Sequence, residues 1–381
     1  MPSAPRALLL AALAMLPASC VDRPGDGPFA PNEPAASLVA APGIKVMSQN
    51  MYLGANIDLL LTADDPSDVA AVFQQLQIST QSGMFKRAQQ MAYQIATEAP
   101  HLVGLQEVTT YQMGGQTLDF LYVLQQYLAY FHATFGTPLY SAVRNDNTTV
   151  FFRASAFNPA FPDVTYTDGD AILVRQGVTL TGAPTTKQYD TYETFTVAGT
   201  SFANRHGYLA VTANIDGQAI RFGNTHLEVQ AFAPTQVAQA AEFIEAFEDE
   251  TLPVILVGDF NSAANHDAPA DQTSDSYHMF RNAGYADIWL RGAHSVGGYT
   301  CCQDATLTNA SSELTQRLDL VLVRWGKAGF GGQSTMDILG EAAADRITFT
   351  DPQLGSLTLW PSDHAAVAAT LWPAPGRLSR P

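Results

Sequence analysis

The amino-acid sequence predicts an α/β fold, and three observations support this class. Apolar segments of strand length alternate along the chain with longer segments of helical period. Several of the strand segments end in a polar side chain, as VILVGDFNS does at Asp259 and Asn261. Over 381 residues, a hydrophobic content of 46% and a charged content of 14% provide ample material for a core. We find no internal repeat or interior linker, so one domain over residues 43–373 is the simplest organisation.

The first half of the predicted domain begins with alternating strands and helices. The helical segment that starts at Gly83 places apolar side chains at steps of four, three and four, and Pro100 ends it. Residues 132–200 are rich in Thr, Asp, Gly and aromatic residues, which indicates strands and long loops. The predicted elements are strand 44–50, helix 83–99, strand 101–108, helix 118–131 and strand 171–178.

The second half is predicted to contain a hairpin and several further strands. Asp216-Gly217 lies between two alternating segments, which is a strong indication of a tight β-hairpin. A proline stands at the start of the next helical segment, where it is well tolerated. The predicted elements are strands 207–215 and 218–228, helix 234–250, and strands 254–260, 317–324 and 364–372.

The N-terminal residues have the layout of an export signal. Arg6 precedes a run of ten apolar residues, and small residues follow it up to Cys20, so residues 1–19 are predicted to be a signal peptide. Cys20 stands where a bacterial lipoprotein is cut and acylated, which would tether the chain to a membrane; plain cleavage is the alternative. Residues 20–42 form a Pro-rich tether and residues 374–381 a C-terminal tail. We therefore expect an exported protein, either a cell-surface or periplasmic lipoprotein or an extracellular one.

The charge of the chain limits its partners. Loss of residues 1–19 leaves 18 basic against 36 acidic residues, a net charge of −18. Such a surface does not attract nucleic acid or anionic lipid non-specifically, although a bound divalent cation can reverse the field locally. No segment approaches the roughly 20 apolar residues that cross a bilayer. Nothing in the sequence predicts a protein partner.

Cys301 and Cys302 are neighbours, and two interpretations stay open. A disulfide between them is compatible with an oxidising compartment, but adjacent Cα atoms lie nearer than most disulfides allow. They are otherwise two small residues of a structured loop. A metal-binding pair is less favoured, because no further Cys or His stands at a suitable spacing.

Polar side chains recur where the predicted strands begin or end. Carboxylates and amide oxygens are the donors that Mg²⁺ prefers, and histidines with a spare carboxylate suit acid–base chemistry. Each residue alone is more often a cap or turn residue, so only the joint pattern indicates a site. Its members are Asn50, Glu107, His226, Asp259, Asn261, Asp319, Asp363 and His364.

The order of these short motifs resembles that of the endonuclease/exonuclease/phosphatase superfamily, to which DNase I belongs, and we expect a secreted bacterial member. The motifs are Asn50, LQE ending at Glu107, TH ending at His226, GDFN at 258–261, RLD ending at Asp319 and SDH ending at His364. The resemblance covers residues 44–372. It implies a four-layer α/β sandwich, in which two packed sheets are flanked by helices and the site lies at one edge of the sheets.

The resemblance also implies a metal site. Glu107 is similar to the primary Mg²⁺ ligand of the family, and Mn²⁺ is an alternative to Mg²⁺. Asn50 would lie close to the metal or the phosphate, and Asp363 resembles an additional carboxylate on the metal side.

Catalytic roles follow from the same resemblance. Asp259 is similar to the carboxylate that orients or deprotonates the attacking water, and Asn261 to the amide that fixes this group and the phosphoryl oxygens. His364 resembles the essential histidine, whose tautomer Asp319 would set. His226 resembles the second histidine, which binds the scissile phosphate. We expect both histidines to be at least partly cationic.

Several residues fit the family pattern less well. His101 stands where relatives often have Asp, and we favour a surface residue at the start of a strand. Arg205 and His206 could reach a phosphate, or form the solvated edge of a hairpin. Asp168 and Asp170 flank a glycine, which favours a role in a turn.

The expected activity is Mg²⁺-dependent hydrolysis of a phosphoester, most simply a phosphodiester, by in-line attack of water. The substrate would be a lipid head group or a nucleic acid, so the alternatives are a nuclease for extracellular DNA or RNA and a sphingomyelinase-like phospholipase C. A GxSxG motif is absent from the sequence, which disfavours a serine esterase. A non-catalytic surface lipoprotein that binds a phosphorylated ligand is a further alternative.

Overall fold

Two β-sheets packed face to face form the centre of the molecule. The structure is a computed structural model that describes residues 43–57, 66–80, 82–156, 158–197, 200–264, 275–292, 297–325 and 334–372, all within one compact unit. The predicted signal peptide, the tether with Cys20 and the C-terminal tail lie outside the described residues.

Eighteen strands and five α-helices are assigned within the described residues. The strands are β1 Ile44–Asn50, β2 Leu102–Gln106, β3 Thr110–Met113, β4 Gln116–Asp119, β5 Tyr140–Phe152, β6 Val164–Arg175, β7 Thr179–Gln188, β8 Glu193–Val197, β9 Thr200–Asn204, β10 Gly207–Ile215, β11 Gln218–His226, β12 Val254–Asp259, β13 Ala286–Asp287, β14 Asp319–Arg324, β15 Ser334–Leu339, β16 Ile347–Asp351, β17 Gly355–Leu359 and β18 Ala366–Leu371. The helices are α1 Pro66–Thr80, α2 Ser82–Glu98, α3 Phe120–Phe135, α4 Ala233–Glu245 and α5 Ser276–Asn282.

The two sheets are mixed, and each contains one parallel pair near its middle. The first sheet has the order β15-β18-β1-β2-β6-β3-β4, with β5 also paired to β6. The second has the order β13-β14-β12-β11-β10-β7. Strand β1 runs parallel to β2, and β11 runs parallel to β12, while the other pairs are antiparallel. Two separate hairpins, β8–β9 and β16–β17, flank the sheets.

Among the described residues, the three largest clusters of buried side chains separate four layers. Helices α1, α2 and α3 cover the outer face of the first sheet, and helices α4 and α5 cover that of the second. Successive residues of β1 show the division: Val46 packs between the sheets, whereas Met47 packs under the helices. A strand buried on both faces needs a continuous apolar run. The predicted α/β sandwich is confirmed.

The direction of the strands explains why polar groups meet at one rim. The parallel pairs end together, so Asn50 stands beside Gln106 in the first sheet and His226 beside Asp259 in the second. Strand β14 is antiparallel to β12 and begins opposite its end, with Asp319 paired to Asp259. The carboxyl ends of the parallel strands therefore build a common rim, as in other open α/β sheets.

Several elements differ from the sequence predictions. The predicted helix 118–131 begins at Phe120, because residues 116–119 form the second strand of a hairpin that turns at Gly114-Gly115. The predicted strand 171–178 is the end of the twelve-residue β6. Helices α1 and α5 were not predicted. Within the described residues, no helix is both long enough and apolar enough to cross a bilayer.

Candidate active site

Several side chains of the rim surround Asp259, the last residue of β12. Its Oδ2 accepts a hydrogen bond from Asn50 Nδ2 at 3.1 Å. The same oxygen lies 3.8 Å from His226 Nε2 and 3.7 Å from His364 Nε2. Its Oδ1 accepts a hydrogen bond of 2.9 Å from the backbone N–H of Asn261. The carboxylate is only 1% exposed, so these side chains fix its orientation.

The chain adopts left-handed backbone conformations just after the strands that supply the site. Glu107 has a φ of 54° and Asn261 a φ of 48°, although neither is a glycine. Gly258 has a φ of 146°, and a Cβ there would collide with the Thr225 carbonyl oxygen of the neighbouring strand. Such conformations cost about 1–3 kcal/mol for a side-chain-bearing residue and are concentrated at functional sites. They turn the side chains that follow β2 and β12 into the rim.

His364 forms a pair with Asp319 behind Asp259. His364 Nδ1 lies 2.8 Å from Asp319 Oδ2, and the Asp319 backbone N–H donates to Thr300 Oγ1 at 3.0 Å. Burial alone would lower the pKa of His364, but the Asp319, Asp259 and Asp363 carboxylates raise it well above its usual value. His364 is therefore a cation at neutral pH, and its Nε2–H faces Asp259. Asp319 is therefore placed where it can set the tautomer of His364, and the catalytic roles of the pair stay predictions.

His226 is neutral, contrary to the expectation that it is partly cationic. Burial lowers its pKa well below the usual value, and the nearby His206 and His364 lower it further. The sequence did not assign a carboxylate partner to His226. In the structure the Glu228 carboxylate is near His226, but it forms its ion pair with His206. His206 Nε2 lies 3.6 Å from Glu228 Oε2, and the His206 ring packs edge-on against the His226 ring at 4.8 Å.

His206 carries the second positive charge of the site. Burial opposes that charge, but Glu228, Asp168 and Asp170 together raise the pKa of His206 to about 9. The sequence reasoning gave His206 no preferred role. The hairpin contained a usable signal, because a two-residue turn at Asp216-Gly217 fixes the register that pairs Gly207 with His226. That register brings His206 next to His226.

Glu107, Asn50 and Asp363 lie on the other side of Asp259. Glu107 Oε1 accepts a hydrogen bond of 2.9 Å from Asn50 Nδ2, and Glu107 Oε2 accepts from the Leu53 backbone N–H. Burial raises the pKa of Glu107 to about 8, and Asp363 and Asp168 contribute to the rise. Ionised carboxylates crowded in a buried site need a compensating cation. These oxygen donors therefore fit the divalent metal that the sequence predicts.

Asp259, Asp319 and His364 also approach closely enough to be considered as a metal-binding group, with ligand atoms within 4.8 Å of one another. A protonated imidazole has no free lone pair, and His364 Nδ1 is already hydrogen-bonded to Asp319. These contacts disfavour His364 as a metal ligand, and the metal site at Glu107, Asn50 and Asp363 stays a prediction.

Arg87, on helix α2, holds the site together from behind, and the sequence reasoning missed it. Its guanidinium is buried and donates to the backbone carbonyls of Ser79 at 3.1 Å, Tyr52 at 3.0 Å and Pro361 at 2.9 Å, and also to that of Met51. These bonds connect the segment after Asn50 with the segment before Asp363. Arg87 lies three residues after Met84 and four before Met91, so the helical period placed it on the buried face.

Arg205 does not join the cluster in the way that a phosphate ligand would require. Its guanidinium stacks on the Tyr192 ring at 3.6 Å from the ring centre, and its backbone bonds to Thr148. Among the described residues, no hydrogen bond or ion pair joins Arg205 to Asp259 or His226. Its role in phosphate binding stays a prediction.

Two expectations about the remaining polar residues were wrong. His101 is buried rather than on the surface: its Nδ1 accepts the Lys45 backbone N–H at 3.0 Å, and burial lowers its pKa to about 4. Asp168 and Asp170 lie inside β6 rather than in a turn. Asp168 accepts from Thr109 Oγ1 at 3.1 Å, and Asp170 accepts from Asn147 Nδ2 at 2.6 Å.

The sulfur atoms of Cys301 and Cys302 lie in contact, as a disulfide between neighbours requires, and the redox state of the pair stays a prediction. Cys301 is buried and its backbone bridges to His364 and to Gln316, so the loop that carries the two cysteines lies directly against His364.

Comparison with known families agrees with this geometry. Residues 47–364 match the model of the Endonuclease/Exonuclease/phosphatase family. The chain belongs to this family, whose members are phosphoesterases and nucleases. A comparison with curated individual proteins gives no match.

Solved structures share the fold at low sequence identity. An endonuclease/exonuclease/phosphatase protein from Beutenbergia cavernae is 19% identical, with a TM-score of 0.50 over 87% of this chain and 72% of that one. A mannosyl-6-phosphatase from Bacteroides thetaiotaomicron is 18% identical, with a TM-score of 0.50 over 86% and 98%. A family protein from Leptotrichia buccalis is 15% identical, with a TM-score of 0.50 over 86% and 99%. These likenesses concern the fold alone.

Proposed function

We propose that the protein hydrolyses a phosphodiester by direct attack of water, with Mg²⁺ as its cofactor and Mn²⁺ as a substitute. The observation that carries this proposal is the convergence on one Asp259 oxygen of the Asn50 amide and the two imidazole Nε2 atoms of His226 and His364. In this arrangement Asp259 is the proton acceptor and His364 is the cation. Asn50 also donates to Glu107, the carboxylate on the metal side.

The metal would be held by Glu107, Asn50 and Asp363. When bound there, it would polarise a phosphoryl oxygen and offset the charge on the leaving oxygen. The pKa of Glu107, raised to about 8 by burial and by neighbouring carboxylates, supports a cation at this position.

Asp259 would accept the proton of the attacking water. Its Oδ1 is held by the Asn261 backbone N–H, so Oδ2 keeps a fixed direction towards the site. The Asn261 side chain donates to the Leu227 carbonyl at 2.8 Å, which makes Asn261 a positioning residue for Asp259. Water would form the new P–O bond as the ester P–O bond breaks, and the released proton would pass to Asp259.

His364 would stabilise the negative charge that develops on the phosphoryl oxygens. It is cationic, it is oriented by Asp319, and its Nε2–H faces Asp259 and therefore the reacting centre. Preorganised donors of this kind supply much of the rate enhancement in buried sites. His226 would contribute a neutral imidazole to the same oxygens, with the charge of His206 immediately behind it.

A panel of substrates tests this function. The purified protein should hydrolyse bis-p-nitrophenyl phosphate with Mg²⁺, lose this activity in EDTA and recover it when Mg²⁺ is restored. Full activity after exhaustive chelation would remove the metal from the mechanism. Faster turnover of p-nitrophenyl phosphate would favour a phosphomonoesterase, the activity named for the Bacteroides thetaiotaomicron neighbour.

Natural substrates belong in the same panel. Plasmid DNA and RNA test the nuclease alternative, which the net charge of −18 disfavours, and sphingomyelin tests the phospholipase C alternative. Inactivity on every substrate with either metal would favour the alternative of a non-catalytic protein that binds a phosphorylated ligand.

We further propose that the protein acts outside the cytosol. The supporting observation is the export signal in residues 1–19 with Cys20 at the cleavage position. Mass spectrometry of the mature N-terminus distinguishes the cases: an acylated Cys20 indicates a membrane tether, an unmodified cleaved terminus indicates a soluble protein, and an intact Met1 contradicts export.

A further inference from the structure

An apolar pocket lies beside the metal side of the rim and is not used by the mechanism above. Its volume is about 80 Å³, and helix α1 and strands β3, β5, β6 and β9 form its walls. The lining is almost entirely apolar and includes the aromatic side chains Phe73, Tyr111, Phe152, Tyr166 and Phe202.

Two walls of the pocket are bonded to the active site. On one side, Tyr111 donates its hydroxyl to the Leu53 carbonyl at 2.8 Å, and the Leu53 N–H donates to the Glu107 carboxylate. On the other side, Asn204 Nδ2 donates to Glu228 Oε2 at 3.4 Å, and Glu228 is the carboxylate beside His206. The walls of the pocket therefore adjoin both the metal side and the histidine side of the rim.

Two phenols of the pocket lie within the electrostatic influence of the carboxylates of the rim. Burial raises the pKa of Tyr111 and of Tyr166 well above the usual value, and the Asp168 and Glu107 carboxylates raise both further. These two phenols line the pocket and are near enough to feel the carboxylates of the site.

We propose that this pocket binds a short alkyl substituent of the phosphoester substrate while the phosphate lies at Asp259. The inference rests on the proposed phosphoester hydrolysis and adds a substrate class to it. Removing hydrocarbon from water into an apolar pocket is favourable in proportion to the area buried.

A nucleobase suits this pocket poorly. Apart from the phenols of Tyr111 and Tyr166, the polar side chains that line it are Thr148 and Asn204, and both already have partners in the protein. Thr148 Oγ1 bonds to the Arg205 backbone and lies 3.3 Å from the Ala203 carbonyl, while the Asn204 amide faces His206 and Glu228. The polar edge of a base would be left largely unpaired, which costs binding energy.

The volume of the pocket limits how many carbon atoms of an alkyl chain can be buried and so strengthen binding. A protein cavity of about 150 Å³ holds one benzene molecule, so a pocket of about half that size takes roughly three carbon atoms. Each buried methylene raises affinity by about fourfold. Butyl phosphate is expected to bind about 10- to 60-fold more tightly than methyl phosphate, with little further gain for octyl phosphate.

Calorimetric titration of the Mg²⁺-loaded protein with methyl, butyl, phenyl and octyl phosphate and with thymidine 5′-phosphate tests the proposal without needing turnover. Phenyl phosphate should bind less tightly than butyl phosphate, because a six-carbon ring exceeds the volume of the pocket. Equal affinity for methyl and butyl phosphate would overturn the proposal, and so would tighter binding of phenyl phosphate or thymidine 5′-phosphate than of butyl phosphate.

Phe152 and Phe151 provide a matched pair of variants. They are adjacent on β5 and face opposite sides of the strand; Phe152 lines the pocket, and Phe151 is 54% exposed. Phe152→Ala should reduce the preference for butyl over methyl phosphate at least about threefold and leave methyl phosphate binding unchanged, whereas Phe151→Ala should keep the preference. An unchanged preference in Phe152→Ala contradicts the proposal. If Phe152→Ala does not fold, Phe202→Leu on the opposite wall provides the same comparison.

The outcomes for the pocket and for the proposed function are separable. Hydrolysis of bis-p-nitrophenyl phosphate without any dependence of binding on chain length overturns the pocket and keeps the function. Binding that depends on chain length in a protein that hydrolyses nothing overturns the function and keeps the pocket.

Discussion

The pair formed by His364 and Asp319 provides the sharpest prediction about catalysis. Asp319→Asn keeps the size of the side chain but removes the charge that lies 2.8 Å from His364 Nδ1. At that distance two unit charges interact by about 6 kcal/mol with an effective dielectric constant of about 20. Because the amide still provides a polar contact, this value is an upper limit, and it corresponds to about four decades in rate. We expect turnover at pH 7 to fall by about 10²–10⁴.

The pH dependence gives this prediction a direction. The carboxylates around His364 raise its pKa well above the usual value, so the active cation is present at neutral pH and is lost as the pH rises through that raised pKa. In Asp319→Asn the pKa of His364 falls, and the falling limb of the rate profile should move to lower pH. The variant should therefore recover part of its lost activity on acidification.

The assay is the pH profile of kcat/KM for bis-p-nitrophenyl phosphate at saturating Mg²⁺. Asp337→Asn provides the control, because Asp337 lies on β15 and is exposed; its profile should match that of the unaltered protein. A folded Asp319→Asn variant with unchanged turnover and an unchanged falling limb would refute the role assigned to the pair.

Three further predictions concern the metal site, His206 and the hydrogen bonds of Arg87. Glu107→Gln should weaken Mn²⁺ binding by about 100-fold or more, because it removes the charged oxygen donor; equal affinities in calorimetry would contradict the metal assignment. Glu228→Gln removes the carboxylate that most raises the pKa of His206. The raised pKa of His206 stabilises the folded state below about pH 6.5, and this contribution is lost as the pH rises through about 9. The difference in free energy of unfolding between the unaltered protein and Glu228→Gln should therefore shrink as the pH rises from about 6.5 to about 9. A difference that does not change with pH would contradict this. Arg87→Met leaves four buried carbonyl groups without their donor and should lower the free energy of unfolding in urea by about 3–5 kcal/mol. Arg153 is exposed, so Arg153→Met should change the free energy of unfolding by less than about 0.5 kcal/mol. Similar values for the two variants would contradict the supporting role of Arg87.

The elements that could be predicted from the sequence are those with a strong local signal. Strand β1 and the hairpin of β10 and β11 match closely, because alternation and Asp216-Gly217 define them without reference to the rest of the chain. The hairpin of β3 and β4 was absorbed into a predicted helix although Gly114-Gly115 marks its turn. Helix α1 was not predicted at all.

In the candidate site, too, the features with a local signal in the sequence were predicted and the others were not. Residues at strand ends were identified because a polar side chain after an apolar run is visible in the sequence, and the structure brings Asn50, Glu107, Asp259 and His364 together. Charge states were not visible, because they depend on neighbours from distant segments. Burial is the main cause of the low pKa of His226, and His206 and His364, which come from other segments, lower it further.

Buried charged and polar groups explain the remaining errors. A basic residue on a helix is usually solvated, so Arg87 was overlooked despite its position on the apolar face. His101 was expected at the surface for the same reason, yet its ring accepts a backbone hydrogen bond inside the sheet.

The central claim is that Asp259 acts on water beside a metal-bound phosphoester. Its most direct test is the turnover of bis-p-nitrophenyl phosphate by purified, folded Asp259→Asn in saturating Mg²⁺. The amide keeps the size of the side chain but accepts a proton far less readily, so turnover should fall by about 10²–10⁴ while the secondary structure and Mg²⁺ affinity stay close to those of the unaltered protein. Near-normal turnover in that variant would contradict the account.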